Sequence, residues 1–276
     1  MIAVELTKLV RRPRTWLSIL LICALPAIVA VLLNATSVSP PPGQGAAFLS
    51  AVLRNGSLYP AAALALVLPV FLPVAVAVVG GDSVAGEAST GTLRYLLVRP
   101  VGRTRLLVAK LVAMIAYVLG AVVAVAVSSY FVGVSLFGSG TAQAVGQPGG
   151  ITSLSGIALT PAQLLLRLVG AIAYIAISML GVGAIALFLS TVTDSALGAA
   201  LGALAALVAS EVLVTLDAAA TIKPYLPTTY WLAWVDFFRN PIFWRDIERG
   251  IGIQAVYVVL LLGAAWANFA TRDITS

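Results

Sequence analysis

The chain of 276 residues is far too apolar for a soluble globular domain. Hydrophobic residues make up 61% of it and charged residues only 9%, whereas an ordinary soluble domain has about 25% charged residues. A soluble fold is therefore excluded. The net charge of +6 could fit nucleic acid, but the basic residues flank apolar segments, where they orient a membrane protein and contact anionic headgroups. We expect membrane lipids as partners and no nucleic acid.

The N-terminal residues predict a short amphipathic helix ahead of the first membrane span. Ile2, Leu6 and Leu9 recur near helical spacing, while Lys8 and Arg11 fall largely on another face. We expect this interfacial helix to lie along the inner membrane surface, with its charges as an anchor. The apolar run that follows is long for a cleaved signal peptide and further spans come after it, so we expect it to remain as the first span.

Six apolar blocks of near-membrane length predict an all-α, polytopic membrane protein with six transmembrane helices. No soluble-sized stretch separates them, so residues 1–276 are predicted to form a single transmembrane domain. The predicted spans cover residues 16–34, 59–81, 108–137, 161–190, 196–216 and 251–270. Pro69 and Pro73 each remove a backbone hydrogen bond from the second span, which should be kinked near its centre. Thr160 is placed to cap the fourth span, whose first residue is Pro161.

Basic residues predict the orientation of these spans. With six spans both termini lie on one side, and ten of the 16 basic residues lie on that side. The termini are therefore expected to be cytoplasmic, in a multi-pass protein of the cell (inner or plasma) membrane. The segment before the last span, residues 217–250, alternates aromatic residues with prolines and charges. Aromatic rings favour the headgroup zone, so short helices in or near the outer interface are expected there.

Missing residue types argue against a hydrolytic enzyme and against an ATP site of the ordinary kind. The chain has no histidine, which rules out an HExxH zinc site and a Ser-His-Asp triad. None of Lys8, Lys110 and Lys223 follows a glycine, so there is no P-loop for ATP. We expect no metal site, no bound cofactor and no catalysis by this chain alone. Any ATP must be handled by a partner.

The inner loop between the second and third spans, residues 81–110, carries the most informative pattern. Leu93, Leu96 and Leu97 fall at i, i+3 and i+4, and Pro100 ends the helix that this spacing predicts. Such a helix, lying across the cytoplasmic end, offers leucines to another protein. The alternative is an interfacial helix held by lipid, with its arginines pairing with phosphates.

This loop resembles that of the permease subunits of ABC-2 type transporters, which carries acidic residues, a Gly-Thr-Leu, paired leucines, a Pro-Val and a downstream lysine. The matching residues occur here in the order Asp82, Glu87, Gly91, Thr92, Leu93, Leu96, Leu97, Pro100, Val101, Arg103 and Lys110. Arg94 departs from the pattern, because relatives often carry an acidic or other polar residue there. The six-span layout, the amphipathic N-terminus and the aromatic loop before the last span also resemble that family.

The resemblance implies an assembly of two permease chains, identical or homologous, with two ABC ATPase subunits that bind ATP and Mg. The short helix in the loop would then be the coupling helix received by a groove on the ATPase. The candidate coupling residues are Glu87, Gly91, Thr92, Leu93, Arg94, Leu96, Leu97, Pro100 and Arg103.

Charged and small residues inside the spans give further candidates. Arg167 and Glu211 lie at similar depth in the fourth and fifth spans, so we predict an intramembrane ion pair between them. Small residues, including Gly198 and Gly202, form a stripe on the fifth span that lets another helix approach closely. In the resembled family the second and fifth spans line the dimer interface and the pathway. Pro69, Pro73, Gly198 and Gly202 are therefore the candidates for that role.

The expected function is that of the membrane subunit of an ATP-driven exporter. It would move a hydrophobic or amphipathic solute such as a drug, lipid, peptide or antibiotic, with ATP hydrolysed by a separate subunit. An ion-coupled secondary transporter is the alternative, which the proline-broken second span favours and the lack of a central acid or base disfavours. A non-transporting membrane scaffold is the third reading.

Overall fold

In the computed structural model the chain is helical wherever it has regular structure. The structure describes residues 1–36, 48, 56–89, 103–138, 154–155 and 159–271, and these contain no β-strand. The all-α expectation is confirmed for this part of the chain. The α-helices are α1 (Ile2–Arg11), α2 (Pro13–Thr36), α3 (Tyr59–Val67), α4 (Phe71–Asp82), α5 (Ala85–Ser89), α6 (Arg103–Phe137), α7 (Pro161–Val192), α8 (Ala196–Thr215) and α9 (Trp244–Thr271).

Five of these helices, namely α2, α6, α7, α8 and α9, are long and apolar enough to cross a bilayer. Helices α3 and α4 pass the same test together, and would make a sixth span if the bent pair is counted as one. The chain is thus a multi-pass helical membrane protein. Helix α9 begins at Trp244, seven residues before the predicted start of the last span at residue 251.

The break between α3 and α4 confirms the kink predicted from the prolines. The two helices meet at an angle of 60°. Pro69 lies in the turn between them, and Pro73 lies in the first turn of α4, where a missing N–H costs the helix nothing. The predicted cap at Thr160 is also confirmed, since its hydroxyl accepts from the Gln163 N–H and the Gln163 side chain accepts from the Thr160 N–H.

Helix α7 is the centre of the bundle and packs on α4, α6, α8 and α9. Small residues allow a close approach between α4 and α8. A side chain added at Gly81 would bring its Cβ within 2.8 Å of the Ala200 N and 3.0 Å of the Ala196 carbonyl oxygen. Because no larger residue fits there, the end of α4 is held tightly against the start of α8.

The aromatic segment, residues 217–243, joins α8 to α9 and contains three 3-10 helices, Asp217–Ala219, Lys223–Tyr225 and Trp231–Phe238. The predicted short helices are confirmed. Their aromatic side chains, however, divide between two environments. Trp234 and Phe238 are buried in the core, whereas Tyr225 and, after the 3-10 helices, Phe243 are exposed. The segment therefore closes one end of the bundle in addition to presenting rings at its surface.

Candidate functional site

Seven charged side chains meet at one end of the bundle, where α1, α4, α5 and α6 come together. We call these residues the charge cluster; they are Glu5, Lys8, Arg12, Arg14, Asp82, Glu87 and Lys110. The N-terminal stretch supplies the first four, the end of α4 supplies Asp82, α5 supplies Glu87, and the first turns of α6 supply Lys110. Four positive and three negative charges leave the cluster close to neutral.

Two lysines and two glutamates of the cluster form a closed ring of alternating charge. Lys8 Nζ lies 2.8 Å from Glu5 Oε1 and 2.9 Å from Glu87 Oε1. Lys110 Nζ lies 2.7 Å from Glu87 Oε2 and 3.7 Å from Glu5 Oε2. Only 1% of the Lys110 side chain and 6% of the Glu87 side chain are exposed, so this pair is shielded from water. Each charge has two opposite neighbours, which offsets the desolvation penalty of burial.

The ion pairs of the ring shift the pKa of two of its members, Glu87 and Lys8. Burial alone raises the pKa of Glu87, but the charges and hydrogen bonds of Lys110 and Lys8 outweigh burial and leave that pKa below its ordinary value. Burial lowers the pKa of Lys8, and its hydrogen bonds to Glu5 and Glu87 outweigh it, so the net shift is upward. Both shifts favour the charged forms of Glu87 and Lys8.

Asp82 makes the second half of the cluster. Its two carboxylate oxygens accept from two guanidinium groups, at 2.7 Å from Arg12 Nη1 and 2.9 Å from Arg14 Nη1. Asp82 is the last residue of α4, and Arg12 and Arg14 flank the junction of α1 and α2. The aspartate thus ties the end of the broken helix pair to the first long helix.

Neutral hydrogen bonds fix the turn between α4 and α5. The Ser190 hydroxyl, near the end of α7, accepts from the Val84 and Ala85 N–H groups at 3.0 and 2.8 Å and donates to the Gly81 carbonyl at 2.7 Å. Lys110 Nζ also donates to the Ser83 carbonyl. Residues 81–89, which lead into residues 90–102, are therefore held by α7, by α6 and, through Glu87, by α1.

A small cavity of about 60 Å³ lies beside the cluster. Its polar wall includes Lys8, Arg12 and Asp82, and its apolar wall includes Val79 and Met114. That volume is enough for a few water molecules. Within the part of the chain that the structure describes, no three cysteine or carboxylate residues converge on a possible metal position. The cluster is thus an array of ion pairs with room for water.

The structure describes only two of the predicted coupling residues. Glu87 lies in the charge cluster, and Arg103 begins α6. The other candidates lie outside the described residues; they are Gly91, Thr92, Leu93, Arg94, Leu96, Leu97 and Pro100. Of the charged residues quoted for the loop, the structure brings Asp82, Glu87 and Lys110 together at its two ends.

The predicted ion pair between Arg167 and Glu211 is wrong. Arg167 is buried and donates from Nη1 to the Arg239 carbonyl at 3.1 Å, while the Glu211 side chain is exposed. Similar depth was a poor guide because it ignores direction around the helix. Ser210 lies on the buried face of α8, and the next residue is rotated by about 100° toward the exposed face.

The candidates for a dimer interface or pathway differ in accessibility. Pro69 and Gly198 are exposed, Gly202 is half-buried, and Pro73 is buried. A Cβ at Gly202 would lie 3.1 Å from Leu189 Cδ1, so that glycine serves packing within the chain. The accessible members, Pro69 and Gly198, are the ones that a second chain could contact.

Sequence reasoning missed the charge cluster as a unit. Its ion pairs join residues that are far apart in the chain, by 79 positions for Lys8 and Glu87 and by 70 for Arg12 and Asp82. A signal was present, because Glu5, Asp82 and Glu87 were all predicted on the side with most of the basic residues. The excess of basic residues on that side predicts orientation, but it does not by itself indicate ion pairs with these carboxylates.

Residues 20–275 match the family described as "Protein of unknown function (DUF2705)". The chain belongs to the DUF2705 family. The match covers most of α2 and all of α3 to α9, and it includes three of the seven residues of the charge cluster, namely Asp82, Glu87 and Lys110. No curated protein matches the chain in sequence.

Proposed function

We propose that this DUF2705 chain is the membrane subunit of an ATP-driven exporter of the ABC-2 type. In this proposal α3 and α4 form one broken span, which gives six spans, and both termini lie in the cytoplasm at the cell membrane. Two copies, or this chain and a homologous one, would assemble with two ATPase subunits that bind ATP and Mg. The cargo would be hydrophobic or amphipathic, in keeping with the apolar faces of the bundle.

The observation that carries the proposal is the charge cluster at the base of the loop of residues 90–102. Asp82, Glu87 and Lys110 belong to the pattern by which the loop resembles ABC-2 permeases, and all three take part in ion pairs of the cluster. A loop that merely connects two spans needs no such attachment. A loop that transmits movement from an ATPase subunit needs a rigid attachment to the helices, and buried ion pairs with hydrogen-bonded turns supply one.

The contacts define a path for that movement. Movement of residues 81–89 would reach α6 through the pair of Glu87 with Lys110, and α7 through the three hydrogen bonds of Ser190. Movement would reach α1 through Lys8. Since both lysines contact both glutamates, a lysine can shift toward one glutamate without leaving an unpaired charge. The ring can therefore change shape while its charges stay compensated.

The rival reading as a secondary transporter draws on the break between α3 and α4, since such transporters place their sites at broken helices. The break itself is apolar here, consisting of Leu68, Pro69 and Val70. The ion pairs of the cluster lie instead at the end of α4. This arrangement supports coupling at the membrane surface over ion binding at mid-membrane.

The test is copurification of the tagged chain with a P-loop ATPase, followed by ATP hydrolysis in liposomes. We expect Leu96→Asp to abolish stimulation of the ATPase while the chain still inserts, because an aspartate cannot enter an apolar groove. Leu216→Asp is the matched control, an exposed leucine at the end of α8 that precedes the aromatic segment, and it should keep stimulation. Stimulation of wild-type size by the Leu96→Asp chain would refute the proposal.

A further inference from the structure

The junction of α1 and α2 carries three arginines with only one carboxylate between them. Arg12 and Arg14 each use Nη1 to contact Asp82. Arg11 is exposed and forms no ion pair with any other residue that the structure describes. The Arg14 side chain is 67% exposed and that of Arg12 40%. The three arginine side chains at this junction are therefore at least partly exposed, with a local excess of two positive charges.

The surface beside these arginines is apolar. Val10 and Trp16 are exposed on the two sides of the junction, and the Trp16 indole N–H donates to the Val10 carbonyl at 2.6 Å. Farther along α2 the exposed side chains are apolar as well; they include Leu17, Leu20 and Leu21. An outward cationic corner thus continues directly into a long apolar surface on a helix able to span a bilayer.

We propose that the junction of α1 and α2 is a binding site for an anionic phospholipid. The lipid phosphate would lie against Arg11, Arg12 and Arg14. It would balance the positive charge that the Asp82 carboxylate leaves uncompensated. Its acyl chains would follow Trp16 and the apolar side of α2. Arginine suits this ligand because its planar guanidinium pairs bidentately with phosphate, and tryptophan suits the headgroup level.

The chemistry of the surface favours a lipid over a protein or a soluble anion. A soluble phosphate would gain nothing from the exposed apolar side chains, and an acidic protein would leave them uncovered. An anionic lipid satisfies both halves of the surface at once. The site goes beyond the proposed function and does not rest on it, since it requires only that α2 crosses a bilayer.

The experiment measures which lipid touches Trp16. The purified full-length chain is reconstituted into vesicles of equal parts phosphatidylcholine and phosphatidylglycerol, in which one lipid or the other carries brominated acyl chains that quench tryptophan fluorescence. Trp16→Phe, measured in parallel, subtracts the other four tryptophans. We expect brominated phosphatidylglycerol to quench Trp16 more strongly than brominated phosphatidylcholine. Each arginine removed should reduce the preference about fivefold.

Arg11→Gln is the decisive variant, because the exposed Arg11 side chain makes no ion pair and no hydrogen bond with the other described residues. Arg14→Gln adds a second point. The matched control is Arg245→Gln with Arg249→Gln, two exposed arginines beside Trp244 at the start of α9, which should leave the preference unchanged. Equal quenching by the two lipids, no quenching by either, or a preference that survives Arg11→Gln would overturn the proposal.

Discussion

At one end of the bundle a cluster of charged side chains closes the structure. At the other end aromatic rings and hydrogen bonds do so, together with the ion pair of Arg239 with Asp236. The two ends are separated by the length of α7, from Arg167 to Ser190, which is about 35 Å of helix. The charged end joins α1, α4, α5 and α6 through ion pairs. The aromatic end anchors its segment to α7, α8 and α9 through bonds such as Tyr174 to the Tyr230 carbonyl and Ser210 to Thr228.

The difference indicates which end can change shape. Close packing of rings such as Trp234 against Phe238 depends on fit, and a shift of less than an ångström loses contacts. Ion pairs in a ring tolerate exchange of partners, because each lysine has two carboxylates within reach. The charged end is thus suited to transmit movement, and the aromatic end to hold a fixed arrangement of α7, α8 and α9.

The largest effect is expected at the aromatic end. Trp234 is fully buried and lies in edge contact with Phe238 at a ring distance of 6.1 Å. Trp234→Ala should lower the free energy of unfolding by about 3–5 kcal/mol, because it leaves a cavity that its neighbours cannot fill. Unfolding in detergent by increasing denaturant measures this loss. Leu232→Ala, three-fifths exposed in the same 3-10 helix, is the control, and equal losses at the two positions would contradict the packing account.

The next largest effect is expected at the buried ion pair. Lys110→Gln should cost about 3 kcal/mol, since it leaves Glu87 buried with one lysine in place of two. The double variant with Glu87→Gln should recover part of this loss, because it removes the uncompensated charge. The same denaturant titration measures all three variants. A double variant as unstable as the sum of the two single variants would show that the pair is not coupled.

Acid should weaken the ring of the charge cluster. The pKa of Glu87 is lowered from 4.5, so its contribution is present above that pH and is lost as pH falls through the lower folded pKa. The pKa of Lys8 is raised from 10.5, so its contribution is present below that pH and is lost as pH rises through the higher folded value. The stability difference between wild type and Glu87→Gln should therefore vanish in acid. A difference that is constant from neutral to acid pH would contradict these pairings.

The smallest effect is expected from the exposed pair of the cluster. The Arg14 side chain is 67% exposed, and Asp82 keeps Arg12 when Arg14 is removed. Arg14→Gln should cost less than about 1 kcal/mol, because solvent and salt screen such a pair. Thermal unfolding of Arg14→Gln and Lys110→Gln, measured side by side, compares the two losses of stability. A loss of stability as large as that of Lys110→Gln would mean that the stabilisation by an ion pair in the cluster does not depend on its burial.

Local patterns allowed much of the fold to be predicted. Apolar runs located the long helices, the prolines located the break between α3 and α4, and Thr160 with Pro161 located the start of α7. Each of these features depends on residues within one helix. The start of α9 was placed too late because Trp244 and the charges after it precede the apolar run.

The site could be predicted only in part, for a physical reason. The ring of Glu5, Lys8, Glu87 and Lys110 forms only when three separate helices meet, and no spacing in the sequence encodes that meeting. The mistaken pairing of Arg167 with Glu211 shows the same limit. Depth in the membrane follows from position along a helix, whereas the facing of a side chain depends on how the helices pack.

The most direct test of the central claim is ATP hydrolysis by the copurified ATPase in liposomes containing wild-type chain, Glu87→Gln or Arg245→Gln. Glu87 holds the base of the loop, whereas Arg245 is an exposed arginine at the start of α9. The account predicts that wild type and Arg245→Gln stimulate hydrolysis equally, and that Glu87→Gln retains the ATPase but loses most of the stimulation. No stimulation by wild type, or full stimulation by Glu87→Gln, would contradict it.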